Sequence, residues 1–382
     1  MREKVWDPEK INDQLQLRAM QRRRPLSCLM ELTYRCNFRC RMCYIRMSDA
    51  QAEKYGRLRT VDEWLEMARE VYDAGVLNLT LSGGECTQYP GFERLYETLS
   101  RMGFRITVMT NAGEYSESVR DVFRRYPPWC VSITLYGGSN ETYREVTGDP
   151  KGYDKVVKNI RFFQALGVPI GLKFLLIRQT VMDYPKVGAL CKELDRPYTL
   201  VTDITGHRYD VSLSDALNSR LTPAERACVE CHPPAEVNLA MENAKLLEKE
   251  LDGFRMPEAS NDETQENDYC IGSQTACAIS WNGDMQACVS LNGWQNAHPF
   301  ETGFETAWAK LKAEEEETFH RPAACRECSM ANDCIHNCAG RRFEGTGSPH
   351  EPDPYICQYT YLLKIYRERQ KAADVAQSPH CL

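Results

Sequence analysis

The sequence predicts an α/β fold: a partial, TIM-like (β/α)6 barrel followed by a small cysteine-rich domain. Three observations carry this expectation. Six strand-length apolar runs alternate with amphipathic stretches between Cys28 and Thr205, and β-then-α alternation implies a parallel sheet with crossover helices. Six units are too few for a closed eight-stranded barrel, so an open one is the natural closure. Beyond residue 269 the long periodic segments stop, and eight of the eighteen cysteines fall between Cys270 and Cys357.

The strand-like runs are Cys28 to Leu32, Leu77 to Leu81, Ile106 to Thr110, Cys130 to Leu135, Ile170 to Ile177 and Tyr198 to Thr202. Between them, Val61 to Ala74, Phe92 to Met102, Ser116 to Arg125, Tyr153 to Leu166 and Asp183 to Leu194 repeat apolar residues at three and four, as in Trp64, Met67 and Val71. A charged helical stretch, Thr222 to Asp252, is broken by Pro233-Pro234, and Met256 to Asp268 is polar and acidic, as a loop between domains would be. The resulting division is an N-terminal extension (1–27), the barrel (28–205), a helical bridging region and loop (206–268), the cysteine-rich domain (269–360) and a C-terminal helix or tail (361–382). The last domain is expected to be organised around metal more than around a large core.

Composition removes several classes. A net charge of −7 offers no positive field to collect phosphates, which argues against nucleic acid as a partner. The first 27 residues are charged and polar, with Arg22-Arg23-Arg24 where a signal peptide would be apolar, and no apolar run is long enough to span a membrane. The arginine cluster reads as a solvated face. Many cysteines without a secretion signal point to a cytoplasmic chain whose reduced thiols bind metal.

Cys36-x3-Cys40-x2-Cys43 places three thiolates within eight residues, on the loop after the first strand. Closed structural zinc takes four ligands; three suit a [4Fe–4S] cube with one iron left for a non-protein ligand. Ser82-Gly83-Gly84-Glu85 follows the second strand directly, and its glycines let backbone approach a ligand whose carboxylate or amino group the amides could meet. Thr110-Asn111 ends the third strand and Ser132 lies in the fourth, near the strand C-termini where barrels keep their sites.

The triplet with Tyr44 directly after it, one βα unit before a GGE, resembles the signature of radical S-adenosylmethionine enzymes. In that family the open iron chelates S-adenosylmethionine, and one electron from the cluster cleaves it to a 5′-deoxyadenosyl radical that abstracts hydrogen from substrate. The resemblance implies that Tyr44, Gly83, Gly84, Glu85, Asn111 and Ser132 contact the cofactor, with Glu85 the partner of its ammonium. Two positions depart from the pattern: Cys86 stands where many relatives carry proline, and Tyr136 where many have an aspartate before the glycine.

Cys270-x12-Gly283-x4-Cys288 followed by Cys325-x2-Cys328-x5-Cys334-x3-Cys338 and Cys357 matches the seven-cysteine pattern of the SPASM domain, and Cys277 adds an eighth. The resemblance implies two further [4Fe–4S] clusters, three in all. Cys270, Cys277, Cys288 and Cys338 would hold the first and Cys325, Cys328, Cys334 and Cys357 the second. A pair of zinc sites is the physical rival, since C-x2-C alone serves either metal; without Cys277 the first auxiliary cluster would keep an open iron.

Cys228-x2-Cys231-His232 matches the haem-attachment pattern, a redox pair, or incidental helix thiols. Cys28, Cys130 and Cys191 sit in apolar context as core residues. The histidines are scattered, and no nucleophile elbow, phosphate loop or zinc-protease motif occurs; no catalytic residue is assigned.

Members of this class most often modify a ribosomally made peptide or protein, by crosslinking, epimerising or oxidising a side chain. The expected partners are such a substrate, a separate leader-binding protein, and an electron donor such as flavodoxin or ferredoxin, with no nucleic acid and no membrane. The alternatives are tailoring of a small molecule (a porphyrin or sugar), sulfatase-maturase-like oxidation, and a non-catalytic iron–sulfur or zinc-binding protein. Relatives of the sulfatase-maturing kind place a catalytic aspartate where this chain has Val289.

Overall fold

The computed structural model describes residues 8–204, 206, 208–209, 216–257, 270–334 and 338–377. Eight strands form one sheet: β1 (Ser27–Glu31), β2 (Asn78–Ser82), β3 (Arg105–Thr110), β4 (Cys130–Leu135), β5 (Ile170–Leu175), β6 (Tyr198–Val201), β7 (Ala276–Ile279) and β8 (Met285–Gln286). Their order is β6-β5-β4-β3-β2-β1-β7-β8, parallel throughout except for β7 with β8. The first six are the six expected strands, and β6 and β8 form the two edges of an open sheet.

Local chemistry starts the helices where the periodicity placed them. Thr60 and Glu63 form a capping box on the helix Val61–Asp73, and Ser116 caps Glu117–Arg125 through Val119 N. Buried residues alternate along β3 and β4, and Val108, Val131 and Ile133 join Leu95, Phe123 and Phe163 in the main apolar cluster. The intervening positions, Thr107, Met109, Ser132 and Thr134, are only partly buried and take the other face of the sheet.

Four features depart from the sequence reading. The helix Asn140–Thr147, capped by Ser139, was not expected; its eight residues are too short and polar for periodicity to register. The cysteine-rich region does not stand apart from the sheet, because β7 pairs with β1 and extends it. The C-terminal helix begins at Pro354, inside the span assigned to the cysteine-rich domain, and so carries Cys357. Arg23 and Arg24 are not simply solvated: Arg23 Nη2 donates to Lys312 O at 2.8 Å and Glu315 Oε2 at 3.0 Å, and Arg24 Nη1 to Glu305 Oε1 at 3.1 Å. Of the expected Met256 to Asp268 loop, residues 258–268 lie outside the described residues. No helix among the described residues is long and apolar enough to cross a membrane.

Candidate active site

The triplet loop leaves β1 and is pinned from three sides. Arg39 N donates to Thr147 O at 2.8 Å and Arg41 N to Val146 O at 3.1 Å, so the unexpected helix Asn140–Thr147 holds the loop's middle. Phe38 packs edge-on to Tyr136 and Tyr143, with ring centroids 6.1 and 6.3 Å away. Asn111 Nδ2 donates to Cys36 Sγ at 3.3 Å and to Asn37 Oδ1 at 2.8 Å. Burial, then the Glu85 charge, pushes the Cys36 thiol up to about 12. Cys40 is raised by burial and then by its neighbours Cys43 and Cys36. Three buried thiols that repel one another as anions need a cationic centre to ionise together.

The glycines of the GGE serve the protein before any ligand. A Cβ on Gly83 would come 2.5 Å from Thr33 O, and one on Gly84 2.4 Å from Arg35 O. The amides are committed too, Gly84 N to Thr33 O at 2.6 Å and Glu85 N to Arg35 O at 2.9 Å. These two amides stitch the GGE turn to the triplet loop.

Glu85 likewise points into protein. It is 1% exposed, and its carboxylate accepts from Thr87 N, Thr87 Oγ1, Thr110 Oγ1 and Asn111 N at 2.8 to 3.2 Å. It is absent from the cavity wall formed by Ser82, Gly83 and Gly84. These bonds fasten the GGE turn to the end of β3.

The cavity beside these loops has a volume of ≈ 310 Å³ and opens at the C-terminal ends of the strands, within the range of small-molecule sites. Cys36, Cys40, Cys43, Tyr44, Gly83, Gly84, Asn111 and Ser132 all line it. Sequence reasoning missed Thr134, Lys173 and Asp203, which line it as well. Alternation along β4 would have paired Thr134 with Ser132, and a lysine inside the apolar run Ile170 to Leu175 was a visible signal.

The Cys325, Cys328, Cys334 and Cys357 set lines one cavity together with Arg341, Asp353 and Thr360. Met330 N donates to Cys328 Sγ at 3.4 Å and Thr360 Oγ1 to Cys334 Sγ at 3.5 Å. Burial, then the Cys325, Cys334 and Cys328 thiols, pushes Cys357 up to about 12. Cys288 is raised by burial first, with Cys338 and Cys270 adding to the shift. Cys277 is placed elsewhere, on β7 in register with Cys28. No disulfide joins any of the seventeen cysteines among the described residues. The Cys325, Cys328, Cys334 and Cys357 thiols surround a space and fit an iron–sulfur group in donor chemistry and number, whereas Cys270, Cys288 and Cys338 supply three donors; among the described residues no three ligating groups close on the point a single ion would take.

Cys228 is fully buried on the helix Pro223–Glu230, and burial raises its thiol to about 12. Both ring nitrogens of His232 are engaged, with Glu236 at 2.8 Å and the Tyr366 hydroxyl at 2.6 Å. This is a packing seam between helices, with no histidine free to ligate haem. His207, His336 and His380 lie outside the described residues.

The profile of the Radical SAM superfamily matches residues 30–185. The PqqA peptide cyclase of Bradyrhizobium diazoefficiens is 20% identical over 380 residues, 92% of this chain and 90% of that protein. The sporulation killing factor maturation protein SkfB of Bacillus subtilis is 23% identical over 146 residues, 38% of this chain and 34% of that protein. Among solved structures, anSMEcpe with bound AdoMet superposes with a TM-score of 0.62 at 20% identity, over 93% of this chain and 100% of that one. Streptococcus suis SuiB bound to S-adenosylmethionine gives 0.61 at 17%, over 93% and 84%; SuiB has also been solved with its precursor peptide SuiA. At these identities the superpositions establish a shared fold.

Proposed function

We propose that this chain, whose residues 30–185 match the radical SAM superfamily, is a radical SAM enzyme that oxidatively modifies a ribosomally made peptide or protein segment. The observation that carries the reading is the single cavity in which Cys36, Cys40 and Cys43 meet Gly83, Gly84, Asn111 and Ser132. When bound there, a [4Fe–4S] cluster and S-adenosylmethionine supply reductive cleavage and a hydrogen-atom acceptor. The protein's part is placement. Asn111 holds Cys36, and the committed GGE amides leave the carbonyls of that turn as acceptors for a cofactor ammonium. Ser132 and Thr134 offer hydroxyls to polar groups deeper in the cavity.

A peptide substrate is supported by the PqqA peptide cyclase likeness along nearly the whole chain and by an open sheet whose edges can take an extended segment. Auxiliary clusters at the two cysteine sets would carry an electron away from substrate to a ferredoxin- or flavodoxin-like carrier, in keeping with the lack of disulfides among the described residues and a reducing compartment. Net oxidation follows, each turnover giving 5′-deoxyadenosine and a product two hydrogens lighter. Incubating the reduced, reconstituted enzyme with S-adenosylmethionine and a peptide encoded beside its gene, then weighing the product, tests this. An unchanged peptide mass with deuterium uptake from heavy water would replace oxidation by epimerisation, and modification of a small metabolite alone would end the peptide reading.

A further inference from the structure

Cys277 lies on the face of its strand turned away from the other auxiliary thiols. β7 pairs with β1 in the register Cys28↔Cys277 and Met30↔Ile279, and register partners share a face. That face is helix-covered: all four belong to the main apolar cluster with Phe304, Trp308 and Leu311. Cys28 is 1% exposed and Cys277 4%. Because side chains alternate, the residue presented to the opposite face at this level is Ala276. Cys270, Cys288 and Cys338 are left as a set of three, and a cube held by three thiolates needs one more donor.

Glu344 lies on the helix that follows Cys338 and carries an unpaired oxygen. The helix Ala339–Thr346 starts directly after Cys338 and lays Gly340 on the turn Val289–Leu291. A Cβ on Gly340 would come 2.8 Å from Ser290 Cβ and 3.8 Å from Cys288 Sγ. Glu344, four residues on, lies one turn along the same helix face. Its side chain is 6% exposed. Oε2 accepts from Arg341 Nη1 at 3.0 Å, whereas Oε1 is buried without a hydrogen-bond partner. A buried carboxylate oxygen with nothing to bind is costly, and an unmet ligand position is a partner of the right charge.

We propose that Cys270, Cys288, Cys338 and Glu344 form a three-thiolate, one-carboxylate site for the first auxiliary cluster, with Cys277 a packing thiol set against Cys28. The assignment rests on the reading of this region as holding two auxiliary [4Fe–4S] clusters. It gives the site a link to the active cavity: Arg341, which binds Glu344, also binds Asp203 Oδ2 at 3.3 Å, and Asp203 lines the cavity wall. The ligand of the electron acceptor and the floor of the substrate site then share one arginine.

The test uses the full chain reconstituted anaerobically with 57Fe, carrying Cys36→Ala, Cys40→Ala and Cys43→Ala so that only auxiliary irons remain. About eight irons per chain support the two-cluster premise, and about four would defeat that premise and this assignment with it. In the same background, C277A and C277V should retain the iron count and the reduced-state EPR spectrum; loss of one cluster in either soluble variant would overturn the proposal. Glu344 gives an independent measurement should the Cys277 variants not fold. E344C should shift the midpoint potential and g-values of one cluster, and E344Q should expose an iron that binds 13C-cyanide, seen as a new hyperfine coupling. Spectra, potential and cyanide binding identical to the parent in both Glu344 variants would overturn it.

Discussion

Arg208 Nη1 donates to Glu31 Oε1 at 2.8 Å, and the two side chains are 6% and 2% exposed. Glu31 ends β1, where the triplet loop begins. Arg208 N donates to Tyr44 O at 3.1 Å, and the guanidinium carbon lies 4.2 Å from the Tyr44 ring centroid, where the loop finishes. The pair thus clasps the loop at both ends. Removing one partner strands a buried charge, which costs about 3–5 kcal/mol, whereas removing both costs less. We therefore expect Arg208→Ala and Glu31→Ala each to lower stability by about that amount, and the double variant to lose less than the sum. Chemical denaturation of the reconstituted protein reads this directly. Single-variant losses below about 1 kcal/mol, typical of an exposed pair, would show that the clasp is not organising the loop.

The GGE turn should fail structurally before it fails as a ligand contact. Gly84→Ala would drive a Cβ to 2.4 Å from Arg35 O, so we expect poor soluble yield and low iron. Glu85→Ala leaves four buried donors from Thr87, Thr110 and Asn111 without an acceptor. Each costs about 1–3 kcal/mol when unsatisfied. Stability and S-adenosylmethionine affinity should fall together, measured by thermal unfolding and by titration. A Glu85→Ala protein of normal stability that had lost only cofactor affinity would restore the ammonium contact that the sequence suggested.

Much of this was legible in the chain because it is local. Strands β1 to β6 announce themselves by apolar runs at regular spacing, and the triplet, the GGE and the Cys325 to Cys338 series by fixed offsets. What was hidden depends on distant partners. β7 and β8 are four and two residues long, and only pairing with β1 makes them part of the sheet. Glu31 and Arg208 are 177 residues apart, so neither signals burial by itself. Glu344 reads as one more surface charge on a polar helix until Gly340 is seen against Ser290. The face taken by Cys277 likewise follows from a register that the cysteine spacing does not carry.

Among the described residues that line the cavity, Lys173 is the cation. It projects from β5 into the wall beside Ser132 and Thr134, with no hydrogen bond or ion pair to a described residue. Burial holds its pKa below the ordinary lysine value. A desolvated ammonium without a counter-ion is suited to a carboxylate of the cofactor or of an acidic substrate. Lys173→Met should weaken binding of that anion about tenfold, equivalent to about 1.4 kcal/mol, with kcat less affected. The sign of the pH effect follows. The ammonium must be charged to bind, so wild-type affinity should fall as pH rises through the lowered pKa, and the Lys173→Met affinity should show no such step. Equal pH profiles for the two proteins would remove Lys173 from anion binding.

The two kinds of cysteine site should separate by what their loss abolishes. Replacing Cys36, Cys40 and Cys43 by alanine removes the cysteine set that lines the ≈ 310 Å³ cavity, so reductive cleavage of S-adenosylmethionine should cease while about eight irons remain. Replacing Cys325, Cys328 and Cys334 empties the set against the C-terminal helix. It should take about four irons and the modified product while sparing 5′-deoxyadenosine formation, since that set offers the cofactor no place. Folding is the confounder, because a metal site can be the main support of a region with little core. Here the confounder is bounded by geometry. β7 is paired with β1, and Phe304, Trp308 and Leu311 pack into the main core independently of the Cys325 set. Circular dichroism and gel filtration of the triple variants should therefore match the parent, with 5′-deoxyadenosine and product counted on the same samples. A compact Cys325-set variant that still forms full product would remove the second auxiliary cluster from the electron path.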